Sequence, residues 1–407
     1  MSKSEGTTPW FFAPLSDLTR VRYGKSLDKS LRSDTGAFPV VGSAGVMTKT
    51  DVPLMNSPCI VVGRKGNVGA VQFFRNGCYP IDTVYYFETP ANVDVQFLSL
   101  NLEMQELKSL DASTAIPSLR REDLEQIQIP LPPLPEQERI VEILEEQFSR
   151  LDTALASIRN VRAKAAAFSR SLLQSAFGGE LSLDGTAGWE ELTIKEVLSQ
   201  LPNGKLVGQG WSPQCEPEPS GDDEWGVLKT TAIQAGRFEP EHNKRLPATL
   251  EPRPDIEVKP GDLLLTCAGP RKRCGVPCLV RDTRGKLMLS GKMYRFRPDT
   301  NQIEPAYLEY YLLSPRAQYD IDDMKTGISD SGLNLTHSRF FRLMVPIAPL
   351  TEQRRLVSII EEQFSRIDNA LAIADQLEAR FDSERRSMLH AAFAGTLTAQ
   401  WRESHHG

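Results

Sequence analysis

The sequence predicts an α+β protein in which two globular modules are separated by two long α-helices, packed as an antiparallel coiled coil with pseudo-two-fold symmetry. Three observations predict it. Residues 129–181 and 345–397 are one segment written twice, 216 positions apart and without a gap, with 26 of 53 paired positions identical. Each copy carries apolar residues at steps of three or four, the seam of a coiled coil. Ahead of each copy, short apolar runs alternate with glycine-bounded loops and single helical patterns, as in small α+β modules. A repeat this long is not a solenoid unit, which runs to roughly 20–50 residues. The expected order is a first module over 1–129, a repeat helix over 130–180, a second module over 181–345, a second repeat helix over 346–400 and a tail at 401–407.

The first module is expected to contain the strand CIVV (Cys59–Val62), the loop Gly63–Gly69, an aromatic strand over Asp82–Phe87, a helix over Val95–Leu110 and a polar loop over 113–121. The second repeats the series: DLLLTCA, the loop from Gly269 through Arg271, Lys272 and Arg273 to Gly275, the strand Gly291–Phe296, a helix over Pro305–Asp322 and a loop over Ser329–Arg339. Glycine lets a backbone approach phosphate closely, and Arg or Lys neutralises it. Arg also reads guanine in a bidentate manner, whereas Asn prefers adenine. Arg64, Lys65, Asn67, Arg271, Lys272 and Arg273 are therefore candidate DNA contacts.

Prolines at 130, 132, 133 and 135 precede the first helix and are then absent, a start signal. The predicted seam runs through Ile140, Leu144, Phe148, Leu151, Leu155, Ile158, Val161, Ala165, Phe168 and Leu172. In the second copy it runs through Leu356, Ile360, Phe364, Ile367, Leu371, Ala374, Leu377, Phe381 and Met388, with Glu384 interrupting. About 40 residues give roughly 60 Å of helix. Gly178-Gly179 and Gly395 are stop signals. A seam needs apolar character but not identical polar residues, so the shared run EEQFSR (145–150, 361–366) points to a surface touched twice.

A net charge of −6 taken as a sum argues against a nucleic-acid partner, but the charge is unevenly placed. Nine basic residues between Arg271 and Arg297 stand against one acid, a local +8, and nine between Arg20 and Arg75 against three acids, a local +6. Such stretches are what phosphate binding needs, whatever the global sum. A solvated surface is the bland alternative. The segment Pro202–Glu224, rich in Gly, Pro and acid, is unsuited to phosphate and has no expected role. Six cysteines do not form a disulfide framework, MSKSEGTTPW lacks a signal-peptide stretch, and no apolar run spans a bilayer; a reducing cytoplasm without a membrane is expected.

Enzymatic readings fare poorly. GRKGNVG lacks the Gly-Lys followed by Ser or Thr of a P-loop, and no methyl-donor motif is present. Asp255, Glu257 and Lys259 superficially spell a nuclease site, but the two acids are adjacent alternates; a strand leading to the turn Pro260-Gly261 is expected. Cys267, Cys274 and Cys278, with His242 upstream, have no zinc spacing and read as buried thiols. No metal site or catalytic residue is expected.

Module, PLPPLPEQERIVEILEEQFSRLD, second module and a second copy of that helix together resemble the specificity subunit of a type I restriction–modification system. The patterns Phe38-Pro-Val-Val-Gly-Ser, Gly63-Arg-Lys-Gly and Ala115-Ile-Pro-Ser-Leu strengthen the resemblance, which covers essentially the whole chain. It implies a non-catalytic subunit of a bacterial or archaeal cytoplasm. Its two target-recognition domains would read the two halves of an asymmetric, bipartite double-stranded DNA target. The helices would act as a ruler, since half-sites one turn apart lie about 34 Å from each other.

The resemblance extends the candidate DNA contacts to Arg22, Lys25, Ser43, Ser118, Arg120, Lys292, Asn334, Thr336 and Arg339. It implies two adenine-N6 methyltransferase partners, and restriction or translocase subunits. Their docking on like surfaces would involve Glu136, Gln137, Glu145, Gln147, Phe148 and Arg150, with Glu352, Gln353, Glu361, Gln363, Phe364 and Arg366 in the second copy. No cofactor is expected in this chain: S-adenosylmethionine belongs to the methyltransferase, and ATP with Mg to a restriction subunit. The rival readings are a structural adaptor that assembles proteins without reading DNA, and a cryptic nuclease.

Overall fold

The computed structural model describes residues 10–88, 92–110 and 117–405. It is α+β, with two helices of 44 residues each, Leu134–Phe177 and Leu350–Phe393. The chain forms two compact units, residues 1–159 with 374–407 and residues 160–373. Each unit holds one module and part of both helices. No helix is long and apolar enough to cross a membrane.

The two modules share one topology although few of their residues match. In the first, a four-stranded antiparallel sheet has the order Arg20–Tyr23, Val84–Glu88, Cys59–Gly63, Val71–Phe74. In the second, the order is Gly208–Gln209, Met293–Phe296, Leu263–Thr266, Pro277–Leu279. Each module adds a three-stranded sheet with one antiparallel and one parallel pair: Phe38–Gly42 with Gly45–Thr50 and Tyr79–Pro80, and Gly226–Leu228 with Asn243–Arg245 and Leu287–Met288. The strand that leads into each long helix closes its module by pairing with the module's opening strand, Ile129 opposite Ala13 and Val345 opposite Leu192.

In the first unit, Ile140, Val141, Leu144 and Phe148 of the first helix share a buried cluster with Leu389, Ala392 and Phe393 of the second, and with Phe97 and Leu100 of the module. Glu136 lies beside Thr398, and Phe148 beside Arg385, so the two helices run antiparallel. In the second unit, Leu173, Ala176 and Phe177 share the core with Leu356, Val357 and Ile360. Both helices end on a glycine of positive φ (Gly179, +84°; Gly395, +72°), a backbone that glycine adopts without strain.

The structure corrects several expectations. Val161, Phe168 and Leu377 are exposed, at 43%, 49% and 38%. The more buried line keeps Ala165 and Phe381 of the expected seam but passes one residue later at its neighbours, through Arg162 and Ser169 in the first helix and Glu378 in the second. A long polar side chain lays its stem over apolar surface and keeps its head in water, so it can occupy such a line. The helix expected over Pro305–Asp322 is two, Pro305–Leu313 and Pro315–Met324. Pro315 has no N–H to continue the first, and Ser314 caps the second by accepting from Ala317 N at 3.3 Å. Pro254–Ile256 is a 3-10 turn rather than a strand. Residues set apart as a tail lie in a helix, Ala399–His405. Of the loop 113–121, positions 113–116 lie outside the described residues.

Candidate nucleic-acid interface

In the first module, four segments converge at one end of the four-stranded sheet. The Gly63–Gly69 loop is pinned by Arg64 N and Lys65 N, which donate to Thr83 O at 3.0 and 3.2 Å, and by Leu119 N, which donates to Arg64 O at 3.0 Å. Lys65 pairs with Ser118 across that contact. Ser43, at the turn of the Phe38–Thr50 hairpin, comes so close that a Cβ on Gly66 would lie 3.3 Å from its Oγ, and Gly66 has a φ of +79°. The Arg64 guanidinium donates to Asp82 O at 2.6 Å and lies 5.3 Å from the ring centre of Tyr23, which is half exposed. The structure thus brings together Ser43, Arg64, Lys65, Asn67 and Ser118, with Lys65 and Asn67 exposed. Lys25 is exposed two residues beyond Tyr23, Arg22 pairs with Glu88 at 3.3 Å, and Arg120 precedes the short helix Arg121–Glu125.

The second module repeats this arrangement by backbone pairing. Ala268 and Gly269 pair with Asn334 and Leu333, Leu335 N donates to Cys267 O at 2.8 Å, and Cys267 N donates to Lys292 O at 2.9 Å. Lys272, Lys292, Asn334 and Thr336 are exposed there. The arginines also have partners within the chain. Arg271 is ion-paired to Asp322 (2.7 Å) and Asp330 (3.1 Å). Arg273 turns inward, donating to the carbonyls of Thr230 and Ile233 and to Gln234 Oε1. Arg339 is exposed and donates to Met324 O at 3.1 Å. Arg271 and Arg273 thus meet, in the fold, acceptors distant in sequence.

The acidic segment 202–224 has a role after all. Gly208–Gln209 supplies an edge strand, and Glu216 holds Arg245 at 2.7 Å. Asp222 lies 3.8 Å from Arg284, and Asp223 lies 3.9 Å from Lys286. Trp211 stacks under Arg253 at 4.1 Å, just after the strand that corresponds to the one ending in Tyr23. Sequence reading named Tyr23 only as part of the loop Arg22–Ser26 and did not single out Trp211; an aromatic at or just after the end of an edge strand was the available signal. Lys259 lies 3.9 Å from Glu257, whose Oε1 is taken by Lys286 N, so this trio is occupied with the turn. Cys267, Cys274 and Cys278 are buried thiols, with burial pushing Cys267 up to about 11.

Several residues expected to dock partners are engaged inside the chain. Glu136 is fully buried and accepts from Trp10 Nε1 (3.1 Å), Thr398 Oγ1 (2.7 Å) and Arg402 Nε (2.9 Å). Burial alone would raise its pKa, but Arg402, Thr398 and Trp10 hold the carboxyl below the usual glutamate range. Its counterpart Glu352 accepts from Ser182 Oγ at 2.6 Å and from Arg355. Ser182 and Thr398 are themselves 216 positions apart, so the segment after each helix bonds the start of the other.

Gln137 and Gln353 are buried as well. Glu145 bonds Gln96 and pairs with Arg75, while Glu361 lies 3.7 Å from Arg281. Phe148 is buried under Arg385, and Phe364 meets the Tyr310 ring at 5.6 Å. Both copies thus make contacts within the chain at these positions. Gln147 and Gln363 are half-buried, whereas Arg150 and Arg366 are exposed and bond Glu146 and Glu362 one turn back, each at 2.6 Å.

Residues 8–160 match the family described as the type I restriction modification DNA specificity domain. The chain is 37% identical over 213 residues to the EcoEI type I restriction enzyme specificity subunit of Escherichia coli, covering 52% of this chain and 34% of that protein. It is 26% identical over 319 residues to the EcoKI specificity subunit of Escherichia coli strain K12, covering 75% and 65%. The matches thus span between a third and two thirds of these relatives' lengths. A solved chain from work on complex assembly and conformational transition of the type I R-M system superposes with a TM-score of 0.68 over 96% of this chain and 100% of that one; at 16% identity it bears on fold alone.

Proposed function

We propose, starting from the match of residues 8–160 to the type I restriction modification DNA specificity domain, that this chain is a specificity subunit of that kind, reading DNA and doing no chemistry of its own. The first module would contact one half of a bipartite target through Lys65, Asn67, Ser43 and Arg64, with Tyr23 beside them. The second would contact the other half through Lys272, Lys292, Asn334 and Thr336. The observation that carries this reading is the same backbone arrangement at the same place in both modules, each presenting exposed basic and amide side chains. Glycine-bounded loops held by backbone bonds place such groups at low entropic cost.

Two adenine-N6 methyltransferase subunits, and restriction subunits with them, would dock on the repeat helices. In and just after the shared run, Glu146, Ser149, Arg150 and Asp152 are exposed and identical to their exposed counterparts Glu362, Ser365, Arg366 and Asp368, and the arginines pair only with the glutamate one turn back on their own helix. These are the docking candidates. S-adenosylmethionine and ATP with Mg would be bound by those partners.

The test is DNA binding by the assembled complex carrying Arg64→Ala and Lys65→Ala, across a salt series and a set of altered half-sites. A phosphate contact weakens all sequences alike and lowers the salt slope, whereas a base contact relaxes one half-site. Unchanged affinity, slope and specificity would sink the proposal for this loop. The adaptor reading draws on one specific observation, the internal pairing of the second module's basic stretch. Salt-independent assembly with no DNA retention would favour it.

A further inference from the structure

Each long helix begins with a Glu-Gln pair whose glutamine sits in the same set of bonds. Gln137 Oε1 accepts the backbone N–H of Asp94 at 2.9 Å, while its Nε2 donates to the carbonyl of Pro132 at 2.8 Å. Gln353 Oε1 accepts the backbone N–H of Glu304 at 2.8 Å, and its Nε2 donates to Ala348 O at 2.7 Å and Gln302 O at 3.1 Å. The two side chains are 1% and 0% exposed. Asp94 and Glu304 are the residues that start the module helices Val95–Met104 and Pro305–Leu313. In each unit one amide therefore joins the start of the module's helix to the start of the long helix.

Elsewhere, the contact between each module and its long helix includes apolar packing. Phe97 and Leu100 lie in one cluster with Ile140 and Leu144, and Tyr310 packs on Phe364. Hydrophobic burial resists separation but is non-directional, so it tolerates a small slide or tilt. A buried amide is different. Its oxygen and its N–H donors meet their partners in one placement only, and any displacement strands backbone groups away from water. Contacts to the apolar seam could be met by many residues, yet both copies keep glutamine at this position.

We propose that Gln137 and Gln353 are positioning residues that fix the orientation of each recognition module on its own long helix, and thereby set the spacer length over which the two half-sites are read. The inference rests on the DNA-reading function proposed above. Without the amide the module stays attached through its apolar contacts but samples a range of tilts, so targets with a spacer one base pair too long or too short become acceptable.

The experiment compares complexes of the full chain with its methyltransferase subunits, wild type against Gln137→Met and Gln353→Met, which keep side-chain length and lose the amide. Duplexes hold both half-sites constant and vary the spacer by one base pair in either direction. The ratio of methylation at the native spacer to that at its neighbours should fall by about tenfold in each variant, or about 1.4 kcal/mol of lost discrimination. Base preference within each half-site should not change. Gln137→Glu keeps the acceptor towards Asp94 and loses the donor, so it should give an intermediate ratio even where Gln137→Met assembles poorly. Leu124→Ala, which empties a fully buried site elsewhere in the first module, is the control that lowers the melting temperature without moving the ratio. Wild-type ratios in the glutamine variants, whatever their melting temperatures, would overturn the proposal while leaving the DNA-reading function intact. A wild-type complex indifferent to both half-sites would instead overturn the function itself.

Discussion

Nine basic residues crowd each module's basic stretch, but the two stretches end in different states. Among the described residues, ion pairs hold Arg22 and Arg75 in the first, whereas in the second they hold Arg271, Arg281, Arg284, Lys286, Arg295 and Arg297. Asp262, fully buried, serves both Arg295 and Arg297. The second stretch is thus mostly occupied in holding its own module together, and its available charge is reduced to a few lysines. The lesson is that charge counted in a window of sequence sets an upper limit on the field at a surface. What remains for a ligand depends on acids that the fold brings in from far away, such as Asp322 and Asp330, 51 and 59 residues from Arg271.

The same comparison extends to the helix starts and gives the largest expected effect. Glu136 is fully buried among Trp10, Thr398 and Arg402, whereas Glu352 keeps some exposure with Ser182 and Arg355. Glu136→Ala strands a guanidinium and should cost about 3–5 kcal/mol. Glu352→Ala should cost about 1–2 kcal/mol; denaturant melts of the two variants decide this. Since the Glu136 carboxyl is held below its ordinary range, its contribution is complete above the unfolded-state pKa and is lost as pH falls through the folded value. The stability gap between wild type and Glu136→Gln should therefore narrow between pH 7 and pH 3.

A smaller effect separates the two basic loops. Arg64→Ala with Lys65→Ala should weaken DNA binding by the complex about tenfold and lower the salt slope by about 1–2. Arg271→Ala with Arg273→Ala should leave the slope unchanged and lower the melting temperature instead. Equal salt slopes for the two double variants would erase the distinction between the modules. The smallest effect is expected from Asp222→Asn with Asp223→Asn. Both aspartates are exposed, so their pairs are weak, and freeing Arg284 and Lys286 should raise non-specific DNA retention only about twofold to threefold.

The repeat helices were legible in the sequence because their signal is local and periodic: proline before Leu134, apolar steps of three or four, glycine after Phe177. The phase of the buried line between Ile158 and Leu172 was not, since Val161 with Phe168 and Arg162 with Ser169 satisfy the same period. The Gly63–Gly69 loop was legible from composition, and its counterpart from the duplication. The sheets were harder to read. Strands such as Gly208–Gln209 and Leu287–Met288 are two residues long and pair with partners more than 50 positions away. The intrachain bonds of the Glu-Gln pair were illegible for a related reason. Identity in two copies indicates a shared contact, but sequence does not say whether that contact belongs to a partner or to the chain's own modules.

The central claim, that this chain reads DNA in two halves, is tested most directly by a base-resolution map of N6-methyladenine in cells that carry its methyltransferase, with and without this chain. The account predicts loss of a single bipartite motif with an asymmetric pair of half-sites when the chain is removed. A methylome that does not change while the methyltransferase remains active would contradict it.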